Sequence, residues 1–400
     1  MSNSFWHYWA GLTRTKPYLS ELSGYEPIMP SHEEKLMTQA LALARRGICT
    51  VEPNPAVGCI IEKAGHIIGK GWHKAFGQAH AEINALADCT RSGAAPKDAT
   101  LYVTLEPCSH HGKTGPCTDA IINAGIGKVI VACTDPSAHC AGKGIQQLRK
   151  AGIAVVTGVC ASQAHFLNAP FFKFARTGEP WVVLKWAQSL DGKLAYEHPS
   201  KPHHRWISNQ ASRREVHQLR RRTQAILVGI NTVMADDPLL TPRPAKGKNP
   251  LRIVLDNTLK IPLHSQLVKT AHAHPLLIVT RQSAVLRQTN KAESLQDQGV
   301  ELLTLASSES NVQRLYGELG HRGIQQLLVE GGPHVLFSFL NNNLTDELWI
   351  YVSATLLGSS GSATLKPLLS AVSLHHTRFK VFDSDIRIQG LLRPIPDLAE

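Results

Sequence analysis

Apolar positions recur along the first half of the chain with helical and strand spacing in turn. A capping box of Ser31 and Glu34 opens the first helix, whose apolar stripe ends at Gly47. Later apolar runs predict a hairpin at 57–62 and 66–72, a helix after His80, a strand at 99–106, a helix from Cys117, a strand at 128–133, a helix near 145–151, a strand at 154–157 and a helix at 161–176. This alternation predicts a sheet covered by helices on both faces.

The second half repeats the alternation after a break at Thr177-Gly-Glu-Pro180, where we place a domain boundary. An arginine-rich helix follows Ser208-Asn209. The predicted strands lie at 181–186, 225–228, 251–256, 276–279, 326–330 and 347–352, with further helices near 312–319 and 334–340. The pattern predicts a second α/β domain.

Charge narrows the classes of partner. The chain has 400 residues and a formal net charge of +11, which favours acidic ligands. Its densest basic cluster, Arg213-Arg214 with Arg220-Arg221-Arg222, lacks the interleaved aromatic residues of a nucleic-acid surface. We therefore favour a phosphorylated small molecule and a dinucleotide as partners over nucleic acid. A basic excess that only keeps the protein in solution is the alternative.

Cysteine placement and hydropathy bear on the compartment. All eight cysteines fall within the first 160 residues and show no pairing pattern. The sequence has no apolar run of about 18 residues and no secretory signal. These features predict a reducing cytoplasm and no membrane span.

His80-Ala-Glu82 and Pro107-Cys108, with a second cysteine at Cys117, form the most specific pattern in the chain. One histidine and two thiolates leave a tetrahedral zinc with an open position for water. Glu82 is placed to carry protons without being a ligand, as in zinc nucleobase deaminases. Taken separately, a His-x-Glu is more often a surface accident and a Pro-Cys a turn with a buried thiol. Their conjunction, at the starts of two predicted helices, favours a zinc site.

Three short motifs in the second half indicate a different chemistry. Gly331-Gly332-Pro333, between a strand and a helix, is typical of a phosphate cradle, because a helix N-terminus attracts anions. Ser189-Leu-Asp-Gly192 and Asp236-Asp-Pro238 are the other two. Each motif alone is more typical of a turn, and the Rossmann pattern G-x-G-x-x-G does not occur in the sequence.

The order of these motifs resembles the family of bifunctional riboflavin-biosynthesis proteins, in which a pyrimidine deaminase is fused to a pyrimidine reductase. The resemblance covers residues 33–395. It rests on Pro53-Asn-Pro-Ala-Val-Gly58, His80-Ala-Glu82, Thr104-Leu-Glu-Pro-Cys-Ser-His110, Pro116-Cys117, Lys185, Ser189-Leu-Asp-Gly192, Trp206-Ile-Ser208, Asp236-Asp-Pro238 and Val329-Glu-Gly-Gly-Pro333. The nine-residue step between the two cysteines is diagnostic, because tRNA and cytosine deaminases usually place theirs three apart. The family's Thr-Pro-Pro-Cys is Thr114-Gly-Pro-Cys117 here.

The resemblance implies an α/β protein of two domains. Residues 31–176 would form a zinc-dependent, cytidine-deaminase-like three-layer α/β/α domain, and residues 180–400 a dihydrofolate-reductase-like α/β domain. The first would hydrolyse the ring amino group of a diaminopyrimidinone ribosylamino phosphate, and the second would use NADPH to reduce its ribosyl group to ribityl. Whether the protein forms a homo-oligomer is left open. Residues 1–30 are interpreted as a flexible extension, with Met29 or Met37 as alternative starts.

Residue roles are carried over motif by motif. The resemblance implies that His80, Cys108 and Cys117 bind zinc, that Glu82 shuttles protons and that Asn54 contacts substrate. It implies NADPH contacts from Ala187, Trp206, Thr232, Asp236, Asn257, Gly332, Pro333, His334, Val335, Leu336, Phe337 and Ser338. It implies substrate contacts from His204, Arg220, Leu240, Arg243 and Glu330. Asn257 and His204 stand where the family more often has serine.

Lys185 lies on a strand leading into the second site and is interpreted as a proton donor to the ribose carbonyl oxygen. A strand lysine that only reaches solvent is the alternative. His110 and His111 are expected to be loop or substrate contacts rather than further metal ligands. Two other functions are alternatives: a nucleic-acid-editing deaminase with a basic recognition domain, and a deaminase-fold protein whose second half is an inactive scaffold. Lys185 and Glu330-Gly-Gly-Pro333 argue against the scaffold.

Overall fold

The computed structural model describes residues 29–110, 115–137, 140–198, 206–243, 249–306, 310–365 and 371–394. The segment 1–28, most of the predicted extension, and residues His111 and His204 lie outside these ranges. The described residues form two sheet-based units, one in each half of the chain.

The N-terminal unit is built on a five-stranded sheet of order β2-β1-β3-β4-β5. Strand β1 pairs antiparallel with β2 and β3, whereas β3, β4 and β5 are parallel. The strands are β1 (Gly58–Lys63), β2 (His66–Trp72), β3 (Thr100–Val103), β4 (Lys128–Val131) and β5 (Ala154–Thr157). The helices are α1 (His32–Ala44), α2 (Ala81–Arg91), α3 (Cys117–Asn123), α4 (Lys143–Lys150), α5 (Ala161–Leu167) and α6 (Ala169–Thr177).

Both faces of this sheet are covered, which confirms the predicted three-layer α/β/α arrangement. Ile61 and Leu101 pack with α2, α3 and α4, while Ile60 and Tyr102 pack with α1 and the α5–α6 segment. The alternation along β1 therefore divides its side chains between two cores. Helix α2 lies close to β2 because Gly71 has no side chain: a Cβ there would lie 2.2 Å from the Ala81 carbonyl oxygen. This close approach fixes the start of α2, where His80 and Glu82 lie.

Two local predictions can be compared with the structure directly. The capping box is confirmed, with Ser31 N donating to Glu34 Oε2 at 2.7 Å and Glu34 N donating to Ser31 Oγ at 3.2 Å. The single helix predicted at 161–176 is wrong, because the chain breaks at Asn168 into α5 and α6. Pro170 follows this break at the start of α6, and its ring suits a first helical turn but not a helix interior.

The C-terminal unit is built on a nine-stranded sheet of order β11-β10-β9-β8-β12-β6-β13-β16-β15. Its strands are β6 (Trp181–Ser189), β8 (Ala225–Gly229), β9 (Leu251–Leu255), β10 (Leu276–Arg281), β11 (Val300–Leu305), β12 (Gln326–Val329), β13 (Glu347–Ser353), β15 (His375–Phe382) and β16 (Asp385–Leu391), and β7 (Ala195–Tyr196) pairs with β14 (Gly361–Ser362). The helices are α7 (Gln210–Arg222), α8 (Ile230–Asp236), α9 (Gln266–Lys269), α10 (Gln282–Arg287), α11 (Thr289–Asp297), α12 (Asn311–His321) and α13 (Pro333–Asn341).

The centre of this sheet is parallel, and its strands are apolar on both faces. In β6, Val182 and Leu184 pack into one core and Trp181 and Val183 into the other. Strands β7, β11, β14, β15 and β16 and helices α8 to α11 were not predicted from the sequence. Most of β15 is exposed and carries polar and basic residues, which suits an edge strand that must not pair further but hides its strand pattern.

The chain therefore forms two α/β units, as predicted. Helix α6 links them, and Lys173 on that helix pairs with Asp346 at 2.7 Å. Within the described ranges, no helix is long and apolar enough to cross a bilayer.

Candidate functional site

The predicted zinc ligands converge at the starts of α2 and α3. His80 Nδ1 lies 3.3 Å from Cys117 Sγ and 3.5 Å from Cys108 Sγ, and all three ligand atoms lie within 4.8 Å of one another. Tetrahedral zinc with ordinary Zn–N and Zn–S bonds separates such atoms by about 3.6 Å. The three residues therefore fit a zinc ion without rearrangement.

The environment of Cys108 also suits a metal. A hydrogen bond from the Cys117 thiol lowers the pKa of Cys108 well below its usual value, against the opposing effect of burial, while the same hydrogen bond and burial raise the pKa of Cys117. The Cys117 backbone amide also lies 3.4 Å from Cys108 Sγ and stabilises negative charge on that sulfur. Thiolates, rather than thiols, are the metal ligands, so this environment favours binding.

Glu82 lies in the first turn of α2 and is 3% exposed. Burial raises the pKa of its carboxyl group to about 7. The side chain lines a cavity of about 320 Å³ together with His80 and Cys108. A carboxyl group at this place can take a proton from one partner and return it to another.

Asn54 enters the same cavity from the loop before β1. Its Nδ2 lies 3.1 Å from His73 Nε2, and His73 Nδ1 lies 3.1 Å from the Ala79 carbonyl oxygen. Because that carbonyl can only accept, Nδ1 carries the proton of the imidazole and Nε2 accepts from the Asn54 amide. The His73 ring also meets the His80 ring edge-on, with centroids 5.2 Å apart. Asn54 is thus held beside the ligand histidine.

A second cavity, of about 370 Å³, lies at the carboxyl ends of parallel strands in the C-terminal unit. It follows the ends of β8, β9, β10 and β12, where the chain leaves β11 and returns to insert β12 beside β8. Open α/β sheets bind dinucleotides at such a switch point. The predicted residues that line this cavity are Thr232, Asn257, Gly332, Pro333, His334, Val335 and Ser338.

The Gly331-Gly332-Pro333 turn opens α13 at the edge of this cavity. A Cβ on Gly331 would lie 2.6 Å from Val335 Cβ, so glycine is required there by packing. A Cβ on Gly332 would meet no atom within 4 Å, so its backbone faces open space that a ligand can approach. Pro333 occupies the first turn of the helix, where it costs no hydrogen bond.

Beside this turn, Glu330 joins two cations in the interior. Arg220 Nε donates to Glu330 Oε1 at 2.7 Å, and Arg220 donates a second bond to Oε2 at 3.0 Å. Lys185 Nζ lies 3.7 Å from Glu330 Oε2. Burial alone would raise the pKa of Glu330, but Arg220 and Lys185 lower it to about 2. Burial lowers the pKa of Lys185, and Glu330 opposes that shift.

Comparison with known proteins matches both units to known families. Residues 30–133 match the cytidine and deoxycytidylate deaminase zinc-binding region, and residues 180–388 match the RibD C-terminal domain. The riboflavin biosynthesis protein RibD of Aquifex aeolicus is 40% identical over 361 residues, which is 89% of this chain and 97% of that protein. The chain belongs to the RibD family.

Further relatives in the RibD family agree with this assignment. RibD of Bacillus amyloliquefaciens is 42% identical over 338 residues, covering 84% of this chain and 87% of that protein. A Thermotoga maritima structure, described as a diaminohydroxyphosphoribosylaminopyrimidine deaminase/5-amino-6-(5-phosphoribosylamino)uracil reductase, superposes with a TM-score of 0.77 at 32% identity, covering 89% of this chain and 97% of that one. A RibD structure from Acinetobacter baumannii gives a TM-score of 0.75 at 35% identity, covering 90% and 98%.

Several residues named from the family resemblance lie outside the two cavities. Leu336 is fully buried in the core behind α13, and Leu240 is 3% exposed in the opposite core, so neither side chain faces either cavity. The other predicted reductase residues outside the two cavity linings are Lys185, Arg220 and Glu330 of the buried cluster, Ala187 on β6, Asp236 at the end of α8, Phe337 on α13, Arg243 and the 49%-exposed Trp206. Trp206 packs under Arg213, whose Cζ lies 4.9 Å from the indole centroid.

Two residues at these sites, Glu106 and His217, were not singled out from the sequence. Glu106 accepts the backbone amides of Gly142 and Gly144 at 2.9 Å each, and so ties the strand end before Cys108 to the start of α4. His217 lies one turn before Arg220 on α7, and its Nδ1 is buried without a hydrogen-bond partner in the described part of the chain. Its position three residues before Arg220 is a signal that the sequence did contain.

Proposed function

We propose that this protein is a bifunctional enzyme of riboflavin biosynthesis that first deaminates and then reduces one phosphorylated pyrimidine. Membership of the RibD family supports both activities, and the Thermotoga maritima relative is described as both a deaminase and a reductase. The observation that carries the proposal is the presence, in one chain, of a His/Cys/Cys site beside a buried glutamate and of a dinucleotide-type cleft beside Lys185 and Glu330.

In the first reaction, water replaces the ring amino group and ammonia leaves. A zinc ion held by His80, Cys108 and Cys117 would supply hydroxide at neutral pH. Glu82 takes the proton that this water releases and returns it to the departing amino group. Asn54, held by His73, orients the pyrimidine ring at the mouth of the cavity.

In the second reaction, NADPH in the cleft at α13 would supply hydride to C1′ of the ribosyl group. The bond from C1′ to the ring oxygen breaks, and this ring oxygen, rather than the carbonyl oxygen expected from the sequence, takes a proton from the Lys185 ammonium. Glu330, which directly follows β12, keeps Lys185 of the neighbouring parallel strand β6 and Arg220 of helix α7 in place. The planar donor fork of arginine suits recognition of the substrate phosphate or ribose oxygens.

Nucleic acid is the alternative partner of the arginine cluster, and the contacts of these arginines argue against it. Arg220 is engaged by Glu330, and Arg222 lines a small cavity between the two units. Arg213 lies against the Trp206 ring. These contacts support internal roles for much of the arginine cluster and favour a small phosphorylated substrate. All eight cysteines are free, which supports our placement of the enzyme in the cytoplasm. We also propose that the protein forms a homo-oligomer.

The test of this function is a paired assay on the purified protein. Ammonia and NADPH oxidation are measured with the diaminopyrimidinone ribosylamino phosphate as substrate. We expect one molecule of ammonia to be released and one molecule of NADPH to be oxidised per molecule of substrate. Absence of ammonia would contradict the deaminase assignment, and ammonia without NADPH oxidation would favour an inactive second half.

Zinc removal is expected to separate the two activities. A chelator should stop ammonia release, because the ligand set without its ion no longer activates water. NADPH oxidation with the deaminated intermediate, 5-amino-6-(5-phosphoribosylamino)uracil, should continue. Metal content is measured alongside both rates, and added zinc should restore deamination. Persistence of ammonia release in zinc-free protein would overturn the metal's role.

Lys185→Met is expected to slow reduction about 100-fold, because it removes the proposed proton donor while keeping the length of the side chain. Single-turnover NADPH oxidation with the deaminated intermediate measures the effect. Lys260→Met, an exposed lysine of the same unit, is the matched control and should behave as wild type. An unchanged rate in Lys185→Met would mean that the lysine only balances the charge of Glu330.

A further inference from the structure

The loop of residues 52–57 carries Asn54 into the zinc cavity and is bonded to the other unit. Gln325 Nε2 donates to the Pro53 carbonyl oxygen at 2.9 Å. Gln325 directly precedes β12 in the reductase sheet and is 8% exposed. A buried amide of the reductase unit therefore holds the residue next to Asn54.

Gln325 is itself fixed before it reaches the loop. Its carbonyl oxygen accepts from Trp181 N at 2.8 Å, and its own N–H donates to Gln224 Oε1 at 2.5 Å. These bonds tie its backbone to the neighbouring strand β6 and to the residue before β8. The side-chain amide consequently starts from a rigid support and loses little freedom on bonding Pro53.

A second anchor holds the loop on the other side of Asn54. Asn168, at the break between α5 and α6, accepts from Ala56 N at 2.8 Å and donates to Ala56 O at 2.9 Å. Asn54 and Pro55 thus lie between an anchor in the N-terminal unit and an anchor in the C-terminal unit. The Asn54 N–H also donates to the Val51 carbonyl at 2.8 Å, so the loop is short and tightly defined.

From Asn54 the contacts continue toward the metal ligand. The Asn54 amide donates to His73, and the His73 ring packs edge-on against His80. A displacement of Pro53 would move Asn54 relative to this pair of rings and to the zinc cavity. The Pro53 carbonyl is therefore a point where the reductase unit can affect the geometry of deamination.

We infer that Gln325 is a positioning residue for deamination, through which the reductase unit orients Asn54 toward the pyrimidine ring. The inference rests on the proposed deaminase function and extends it: the deaminase site is complete only when the second unit is docked. Gln325 touches neither substrate nor reacting atoms, and it acts through the Pro53–Asn54 peptide.

The test uses the full-length, zinc-loaded protein with the substitution Gln325→Met, which keeps the shape of the side chain but cannot donate. kcat/KM for deamination should fall about five- to tenfold, the effect of one neutral hydrogen bond, and KM should carry most of the change. Reduction of the deaminated intermediate should stay within about twofold, because β12 and Glu330 are unaltered. The matched control is Gln326→Met, which changes an adjacent glutamine of 6% exposure whose side-chain amide makes no hydrogen bond to loop 52–57.

A double-mutant cycle with Asn54→Ala separates positioning from general stability. If Gln325 acts through Asn54, Gln325→Met should cost nothing more in the Asn54→Ala background. Equal losses in both backgrounds, equal losses in deamination and reduction, or a wild-type KM in Gln325→Met would each overturn the inference.

Amide hydrogen exchange in the loop tests the contact between Gln325 and Pro53 without relying on deaminase activity. Exchange at residues 54 and 56–57 should be faster in Gln325→Met than in wild type and in Gln326→Met. If the wild-type protein releases no ammonia but Gln325→Met still shows the faster exchange, the deaminase function is refuted and the anchoring contact stands. Unchanged exchange would refute the anchoring itself.

Discussion

Glu82→Gln is expected to lower the rate of ammonia release about 1,000- to 10,000-fold while the protein keeps its zinc. The amide is isosteric with the carboxylate but can neither take the proton from water nor pass it to the leaving amino group. The residues that would hold the metal are His80, Cys108 and Cys117, and Glu82 is not one of them. Ammonia release, zinc content and NADPH oxidation with the deaminated intermediate are measured on the same preparation.

Asp88→Asn is the matched control, because Asp88 lies on the same helix with its carboxylate on the surface side, where Lys70 N donates to it at 2.9 Å. This variant should deaminate at the wild-type rate. Zinc loss in Glu82→Gln would make Glu82 a structural support of the site. Retention of zinc with an activity within tenfold of wild type would exclude the proton-shuttle role.

Glu330→Ala is expected to abolish reduction and to lower the free energy of unfolding of the C-terminal unit by about 3–5 kcal/mol. The carboxylate is the partner of both Arg220 and Lys185, and its removal leaves two buried cations without compensation. Chemical denaturation of the full-length protein, followed by a signal from the C-terminal unit, measures the loss. Deamination at low denaturant should be largely retained.

The triple variant Lys185→Met/Arg220→Met/Glu330→Leu provides the control for this effect, because it removes all three charges of the cluster. Replacing every member of a buried ionic cluster by apolar residues of similar size is often neutral for stability, so the triple variant should regain most of the lost free energy, while reduction stays absent. A Glu330→Ala protein as stable as wild type would contradict the placement of these charges in the interior.

The same carboxylate gives a defined dependence of stability on pH. Its pKa is about 2 in the folded protein against an ordinary value of 4.5, so the unfolded chain binds the extra proton between these values. Its stabilising contribution is complete above the ordinary value and is lost as the pH falls toward about 2. Glu330→Gln should flatten the stability profile in that interval.

How far the sequence predicts the sites depends on the separation of the residues that build them. The zinc site was predictable, because its ligands lie next to helix starts and a strand end that the local pattern identifies. The Arg220–Glu330 pair spans 110 residues and required the family resemblance. The bond from Gln325 to Pro53 spans 272 residues, and nothing in either local sequence indicates it.

The fold shows the same dependence on local signal. Strands such as β6 and β12, buried on both faces, have continuous apolar runs and were predicted. Strand β15 was missed because its side chains are mostly exposed, and the break at Asn168 was missed because the apolar spacing continues across it. Leu336 was assigned to the cofactor site by its position in a motif, whereas the period of α13 turns its side chain into the core.

The Glu82→Gln protein also reveals whether deamination must precede reduction. This protein is mixed with NADPH and the diaminopyrimidinone substrate, and oxidation of NADPH is followed before and after the deaminated intermediate is added. If deamination comes first, no NADPH is oxidised until that intermediate is present, and oxidation then proceeds at the wild-type rate. Oxidation at the wild-type rate with the undeaminated substrate would contradict this order.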